Sequence, residues 1–351
     1  MRALSVLDLS PVTTATGGAQ ALRNSIDLAR FADRLGFLRY WVAEHHNLAS
    51  IASSAPDIMI GQIAAATENL RVGSGGVMLP NHAPLMVAER FKVLEALYPG
   101  RIDLGIGRAP GTDQITSLAL RRRQDIRDDD DFLDRFQELL LLERRGYPQQ
   151  HPFHSVRAMP ADVPLPPIFL LGSSDYSAEL AAAAGMGFAF AHHFATHDAV
   201  AAMTSYRDRF KPSVLERAYA ILAVAAVCAD TDAEAERLAA TTDLNFARRG
   251  RGQYLPLASP EDALAELERD YAPPERERVR ANRARLFVGA PATVRARLLP
   301  LMAATRADEV MITTMVYDHA ARRRSYELLA GAFGLEPNAV SGTAAQEPAL
   351  P

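Results

Sequence analysis

The stretch Leu70–Gly107, LRVGSGGVMLPNHAPLMVAERFKVLEALYPGRIDLGIG, decides the fold. It opens on an apolar run of strand length, LRVGSGGVML, and closes on another, RIDLGIG. Between them, Pro84 to about Leu97 carries apolar residues at helical spacing. Two strands joined by such a helix form a parallel pair, because parallel strands need a long crossover.

The same unit recurs on both sides. Upstream, ALSVLDLS precedes a helical stretch from Gln20 to Leu35, and FLRYWVAEHH precedes a helix starting near Pro56. Downstream, PIFLLG leads into Ala178–Ala184 and GFAFAHHF into a helix from about Asp198. AILAVAAVCA then precedes Asp232–Thr241, and DEVMITTMV precedes His319–Phe333. Eight such runs, several apolar throughout, predict an α/β fold: a closed (β/α)8 TIM barrel with an insertion before the last strand. The insertion is Thr242–Arg285, rich in Arg, Pro and Glu, and is read as a lid, a binding loop or subsidiary helices. Ala109–Asp131 is a second irregular segment. The 351 residues are assigned to a single barrel over 1–335 and a disordered tail over 336–351.

Bulk charge points to no nucleic acid and no membrane, since the formal net charge is -4. The run Arg121–Arg123 is balanced by Asp128–Asp131 and is read as a solvated face. Cys228 is the only cysteine, which excludes an intrachain disulfide and a cysteine zinc site. It lies in an apolar run and is expected to be a buried small hydrophobe. No stretch has the length of a membrane span or the pattern of a signal peptide, so the chain is expected to be cytoplasmic.

A barrel of this type carries its chemistry at the C-terminal ends of its strands. At the second strand end stand Glu44, His45 and His46. They suit general acid/base work with a carboxylate tuning a histidine, or a pair of structural histidines. A metal site using His45 or His46 with His82, His192 or His193 is a further reading. Gly75, Gly76, Val77 and Met78 follow the third strand, and glycines there mark either a bulge or the close approach of a flat group. GIGRAPG imitates a dinucleotide-binding motif, but Pro110 and Gly111 prevent the helix that would receive a pyrophosphate. Arg108 is read instead as an anion ligand, with a structural ion pair as the alternative. Ser174, Tyr176 and Ser177, in GSSDYSAELAAAAG, sit where a strand gives way to a helix. That position suits a phosphate or plain N-capping.

WVAEHHN, followed by LRVGSGGVMLPNHAPLMVAERFKVLEALYPGRIDLGIGRAPGTD, resembles the bacterial luciferase-like flavin monooxygenases. The resemblance is strongest to a short single-chain subgroup bearing ASSAP and GRAPGTD, and it resumes at LLGSSDYSAELAAAAGMGFAFAHHF. It implies a barrel that binds FMN, supplied reduced by a separate NAD(P)H-dependent flavin reductase. Dioxygen would form a flavin hydroperoxide that oxygenates a small-molecule substrate. His45 matches the histidine near the flavin, and Gly75–Gly76 a site where the family often has a non-proline cis peptide. Arg108, Ser174 and Ser177 match phosphate ligands, with Tyr176 nearby. Thr242–Arg285 takes the place of the mobile loop of luciferases, and a homodimer is common among relatives. Gly107 replaces a reactive cysteine of the luciferases, so light emission is not implied. Met78, Tyr40 and Phe194 are candidates for an apolar pocket. The rivals are a deazaflavin oxidoreductase of the same fold and a non-catalytic flavin-binding protein.

Overall fold

The structure is a computed structural model that describes residues 3–121 and 131–338. The expected tail beyond 338 and most of the Arg121–Asp131 charge run lie outside the described residues. Among the described residues there are ten strands: β1 Ala3–Asp8, β2 Arg39–Val42, β3 Arg71–Ser74, β4 Val77–Met78, β5 Ile102–Gly107, β6 Ile168–Gly172, β7 Gly187–Ala191, β8 Ala220–Cys228, β9 Leu286–Gly289 and β10 Glu309–Thr313. All their pairings are parallel, and β10 pairs with both β1 and β8, which closes the ring. The closed barrel therefore uses the eight runs read from the sequence, with β4 continuing the third of them against β5.

The sequence reading missed one strand. β9 pairs with Ala225–Cys228, the part of β8 beyond its pairing with β7, and stands off the ring. The insertion itself is helical, with Pro260–Asp270 and Pro273–Asn282 following the end of helix Asp232–Gly250. Helix Pro291–Ala304 then leads to β10.

Local chemistry sets the helix ends. Asp198, Thr231 and Asp318 accept hydrogen bonds from the backbone N–H of Val200, Glu234 and Ala321. Proline opens helices Pro56–Ala66, Pro84–Leu97 and Pro291–Ala304, where its missing N–H costs nothing. Gly185 and Gly334 end theirs in the left-handed conformation at φ 64° and 65°.

Strand alternation divides the core into two layers. Val6, Tyr40, Val72 and Leu222 face outward and pack with Leu28, Ile60, Val87 and Leu329 of the helices. Leu7, Trp41, Phe169, Ile221 and Met311 face inward and fill the barrel. The floor is ionic: Arg39 binds Asp103 at 2.6 Å and Glu309 at 2.8 Å, and Arg71 binds Asp103 at 2.6 Å. Tyr40 belongs to the outer layer, where its hydroxyl donates to Asp8 and to the Ser25 carbonyl. It is therefore not a pocket residue, which corrects the sequence reading. Cys228 is buried as expected, and burial pushes its thiol up to about 12. No helix among the described residues is long and apolar enough to cross a membrane.

Candidate active site at the barrel mouth

The chain leaves β2 at Val42, so Glu44, His45 and His46 stand just beyond the strand rather than on it. The Glu44 side chain is fully buried. Its Oε1 accepts from His46 Nε2 at 2.9 Å and His82 Nε2 at 2.8 Å, and its Oε2 accepts from the Met78 amide at 2.9 Å. Burial pushes the carboxyl up, but the hydrogen bonds and charge of His82 and the bond from His46 outweigh it and hold Glu44 low. One carboxylate thus ties the second strand end to the Leu79–His82 turn after β4. Glu44→Gln keeps the shape but loses the charge that both imidazoles and the amide address. We expect a loss of about 1–3 kcal/mol in urea unfolding. The contribution is present above the ordinary carboxylate range and is lost as pH falls through the lowered folded value.

His45 is half-buried and turns the other way. Its Nδ1 lies 3.1 Å from the Gly111 carbonyl, which can only accept, so Nδ1 carries the proton and Nε2 keeps its lone pair. Burial first, then the charge of Arg249, holds His45 below the usual histidine range, against the Gly111 hydrogen bond. Gly111 has φ +67° and packs against Glu44 and Met78, where a Cβ would lie 2.8 Å from the Glu44 carbonyl oxygen. The GRAPGTD loop is thereby clasped to the EHH segment; Thr112 Oγ1 also donates to the His46 carbonyl at 2.8 Å.

The Gly75–Gly76 peptide is cis. A Cβ at Gly73 would meet Trp41 Nε1 at 2.8 Å, and one at Gly75 would meet Leu7 at 2.6 Å and Trp41 at 3.1 Å. A Cβ at Gly76 would meet the Gly105 carbonyl oxygen at 2.8 Å. A Cβ at Gly73 would also lie 2.6 Å from the Asp103 carbonyl oxygen, so the neighbouring strand backbone, Leu7 and the buried Trp41 side chain together leave no room for a side chain on this segment. Met78 lies beside Gly107, where a Cβ would approach its sulfur to 2.8 Å.

Arg108 follows β5, is exposed, and holds its guanidinium 4.4 Å from the centre of the Tyr176 ring. Ser174 is the N-cap of helix Asp175–Ala184, and its side chain makes no capping hydrogen bond. Ser177, buried, sits one turn in against Gly172. A guanidinium, an aromatic face, two hydroxyls and a helix N-terminus not capped by a side chain thus converge at neighbouring strand ends. That donor set fits the phosphate and ring of a flavin mononucleotide. His193, after β7, directs Nδ1 to the Ala223 carbonyl at 3.2 Å. Phe194 beside it is exposed. A separate groove of about 240 Å³ runs between the segments after β1 and β10, edged by Thr13, Gln20, Asn24, Tyr317 and His319. Among the described residues no group of three His, Cys, Asp or Glu side chains is arranged to hold a metal ion.

Comparison with known proteins places this mouth in a family. The family model described as luciferase-like monooxygenase matches residues 3–309. A relative from Escherichia coli (strain K12), named luciferase-like monooxygenase, is 43% identical over 93% of this chain and 95% of its own length. The N-acetyl-S-alkylcysteine monooxygenase of Bacillus subtilis (strain 168) is 33% identical over 94% of this chain and 97% of its own. Among solved structures, apo-MsnO8 superposes with a TM-score of 0.86 at 39% identity, covering 96% of this chain and 100% of that one. More distant structures share the fold alone. They include the oxygenating constituent of 3,6-diketocamphane monooxygenase from Pseudomonas putida with FMN, at 19% identity, TM-score 0.68, and 94% and 97% coverage. An F420-dependent secondary alcohol dehydrogenase is at 12% identity, TM-score 0.64, and 94% and 98% coverage. The match over nearly the whole chain, joined to a mouth built from the EHH, glycine and GRAPGTD segments, makes this chain a member of the luciferase-like monooxygenase family.

Proposed function

We propose that this chain uses reduced FMN and dioxygen to oxygenate a small organic substrate at the barrel mouth. The observation that carries the reading is the convergence of Arg108, Tyr176, Ser174 and Ser177 on one helix N-terminus, at strand ends next to the Gly75–Met78 segment, which pairs with β5. Reduced FMN, when bound, supplies the electrons that activate dioxygen. In this reading Arg108, Ser174 and Ser177 bind its phosphate, and Gly75, Gly76, Val77 and Met78 lie along its ring. His45, neutral and with its Nε2 lone pair free of the Gly111 bond, moves a proton during oxygen transfer. Glu44 acts as a positioning group, fixing His46, His82 and the Met78 amide around that histidine. Unchanged coupled turnover in His45→Ala removes the proton role.

A separate NAD(P)H-dependent flavin reductase in the cytoplasm supplies the reduced cofactor in this account. Two copies are proposed to pair through Met86, Val93 and Leu97, a stripe of exposed apolar side chains on helix Pro84–Leu97, with Ile58 on the adjacent helix. The relative that acts on N-acetyl-S-alkylcysteines makes thioethers the first substrates to try.

Anaerobic titration with reduced FMN, oxidised FMN and F420 tests the reading. We expect the reduced FMN to bind most tightly. Tighter binding of F420 turns the assignment to the deazaflavin oxidoreductase, and binding of none of them removes the phosphate cradle as a flavin site.

A further inference from the structure

The helix Asp232–Gly250 ends in a basic run, Arg248, Arg249, Gly250, Arg251, whose members are used differently. Arg248 is buried; its Nε donates to Glu266 at 2.8 Å and its Nη1 to the Pro256 carbonyl at 3.1 Å. Arg251 pairs with Glu275 at 2.7 Å and lies 3.8 Å from the centre of the Tyr271 ring. Both hold the insertion together. Arg249 is exposed, and among the described residues its side chain has no hydrogen bond or ion pair. Arg248 already places a charge in the last helical turn, where a cation complements the helix dipole. Arg249 is surplus to the architecture.

The insertion is fastened to the rim of the mouth. Leu257 donates its amide to the Val12 carbonyl at 2.8 Å and accepts from the Thr14 amide at 2.9 Å. Thr242 Oγ1 donates to the Met315 carbonyl at 2.7 Å. From this seat the charge of Arg249 acts on both His45 and His193, and the two histidines act on each other. His45 faces the Gly111 carbonyl, Arg249, Glu44 and His46. His193 faces the Ala223 carbonyl, His192, Arg249 and His45. Each imidazole gives its Nδ1 proton to a backbone carbonyl, so neither offers a negative charge to the guanidinium. Burial first, then its neighbours' charges, brings His193 down to about 4, so both rings are neutral near pH 7.

We propose that Arg249 recognises substrate, taking the carboxylate of a small organic anion whose apolar body extends over the mouth between His45 and His193. A guanidinium fork matches a carboxylate in two parallel hydrogen bonds. An anion there also relieves the repulsion between Arg249 and any proton added to either histidine. The assignment rests on the monooxygenase reading only for what becomes of the anion once bound.

The test needs no flavin. The side-chain signals of His45 and His193 are followed by NMR as pH is varied, with and without N-acetyl-S-butylcysteine or its uncharged carboxamide. In the wild-type chain the carboxylate is expected to bind at least about tenfold more tightly than the carboxamide. Once bound, it raises the titration midpoints of both histidines. Arg249→Gln should bring the two ligands level, and Arg249→Lys should restore part of the preference. Equal affinities in the wild type, no binding of the carboxylate, or an undiminished preference in Arg249→Gln overturns the proposal. Because the readout is made on the chain alone, loss of FMN binding leaves it standing, and its own failure leaves the flavin assignment untouched.

Discussion

Arg322→Met is expected to destabilise the barrel by about 3–5 kcal/mol, read as a fall in the urea midpoint. The Arg322 and Asp8 side chains are both almost wholly buried, between the barrel and the last helix, His319–Phe333. Arg322 Nη2 donates to Asp8 Oδ1 at 2.6 Å, and Nε donates to the Thr314 carbonyl at 3.1 Å. Asp8 also accepts from the Ser10 amide at 2.7 Å and from the Tyr40 hydroxyl. Methionine keeps much of the apolar length but abandons a fully buried carboxylate, which is the costly half of such a change. Asp8→Asn combined with Arg322→Met should therefore recover part of the loss. Burial pushes the Asp8 carboxyl up, yet the Arg322 charge and the converging hydrogen bonds hold it below its ordinary value. A depressed folded pKa stabilises above the unfolded value of about 3.9, and this stability is lost as pH falls through the folded pKa. The wild-type chain should lose this contribution in acid, and Arg322→Met should show a flatter acid limb.

Arg108→Ala is expected to weaken FMN binding by roughly ten- to a hundredfold, the worth of a charge-assisted phosphate contact of about 1.5–3 kcal/mol. Riboflavin, which lacks the phosphate, should bind the variant and the wild type alike. That contrast separates a phosphate ligand from a structural arginine, whose removal would weaken both. Arg108→Lys should recover only part of the affinity, because an ammonium neither stacks on Tyr176 nor presents a planar fork.

The barrel was legible because eight runs of strand character are separated by periodic helices, as in Leu70–Gly107. β9 escaped because LFVG follows a charged stretch, with no alternation or apolar run around it to mark it. Its pairing with the far end of β8 is a tertiary fact. Glu44, His45, Gly75, Gly76, Arg108 and Ser174 are singled out as candidates because strand ends gather polar residues and glycines. Their partners are not, because sequence spacing does not say which atoms meet. The sequence offers His82 only as a metal ligand, whereas in the structure it shares Glu44 Oε1 with His46. Trp41 carries no signal in the sequence that it crowds Gly73 and Gly75, as it does in the structure together with Asp103 and Leu7. Arg249 stood in a run of three arginines, and only their pairing separates it from the other two.

The central claim is that the mouth holds reduced FMN and controls its reaction with dioxygen. Stopped-flow mixing of the anaerobic complex with oxygenated buffer, following the flavin absorbance, tests it most directly. The account predicts that the oxidised-flavin band returns at least about tenfold more slowly than for free reduced FMN, after a distinct earlier phase, because the site excludes water. Return of that band in a single phase at the free rate would contradict it.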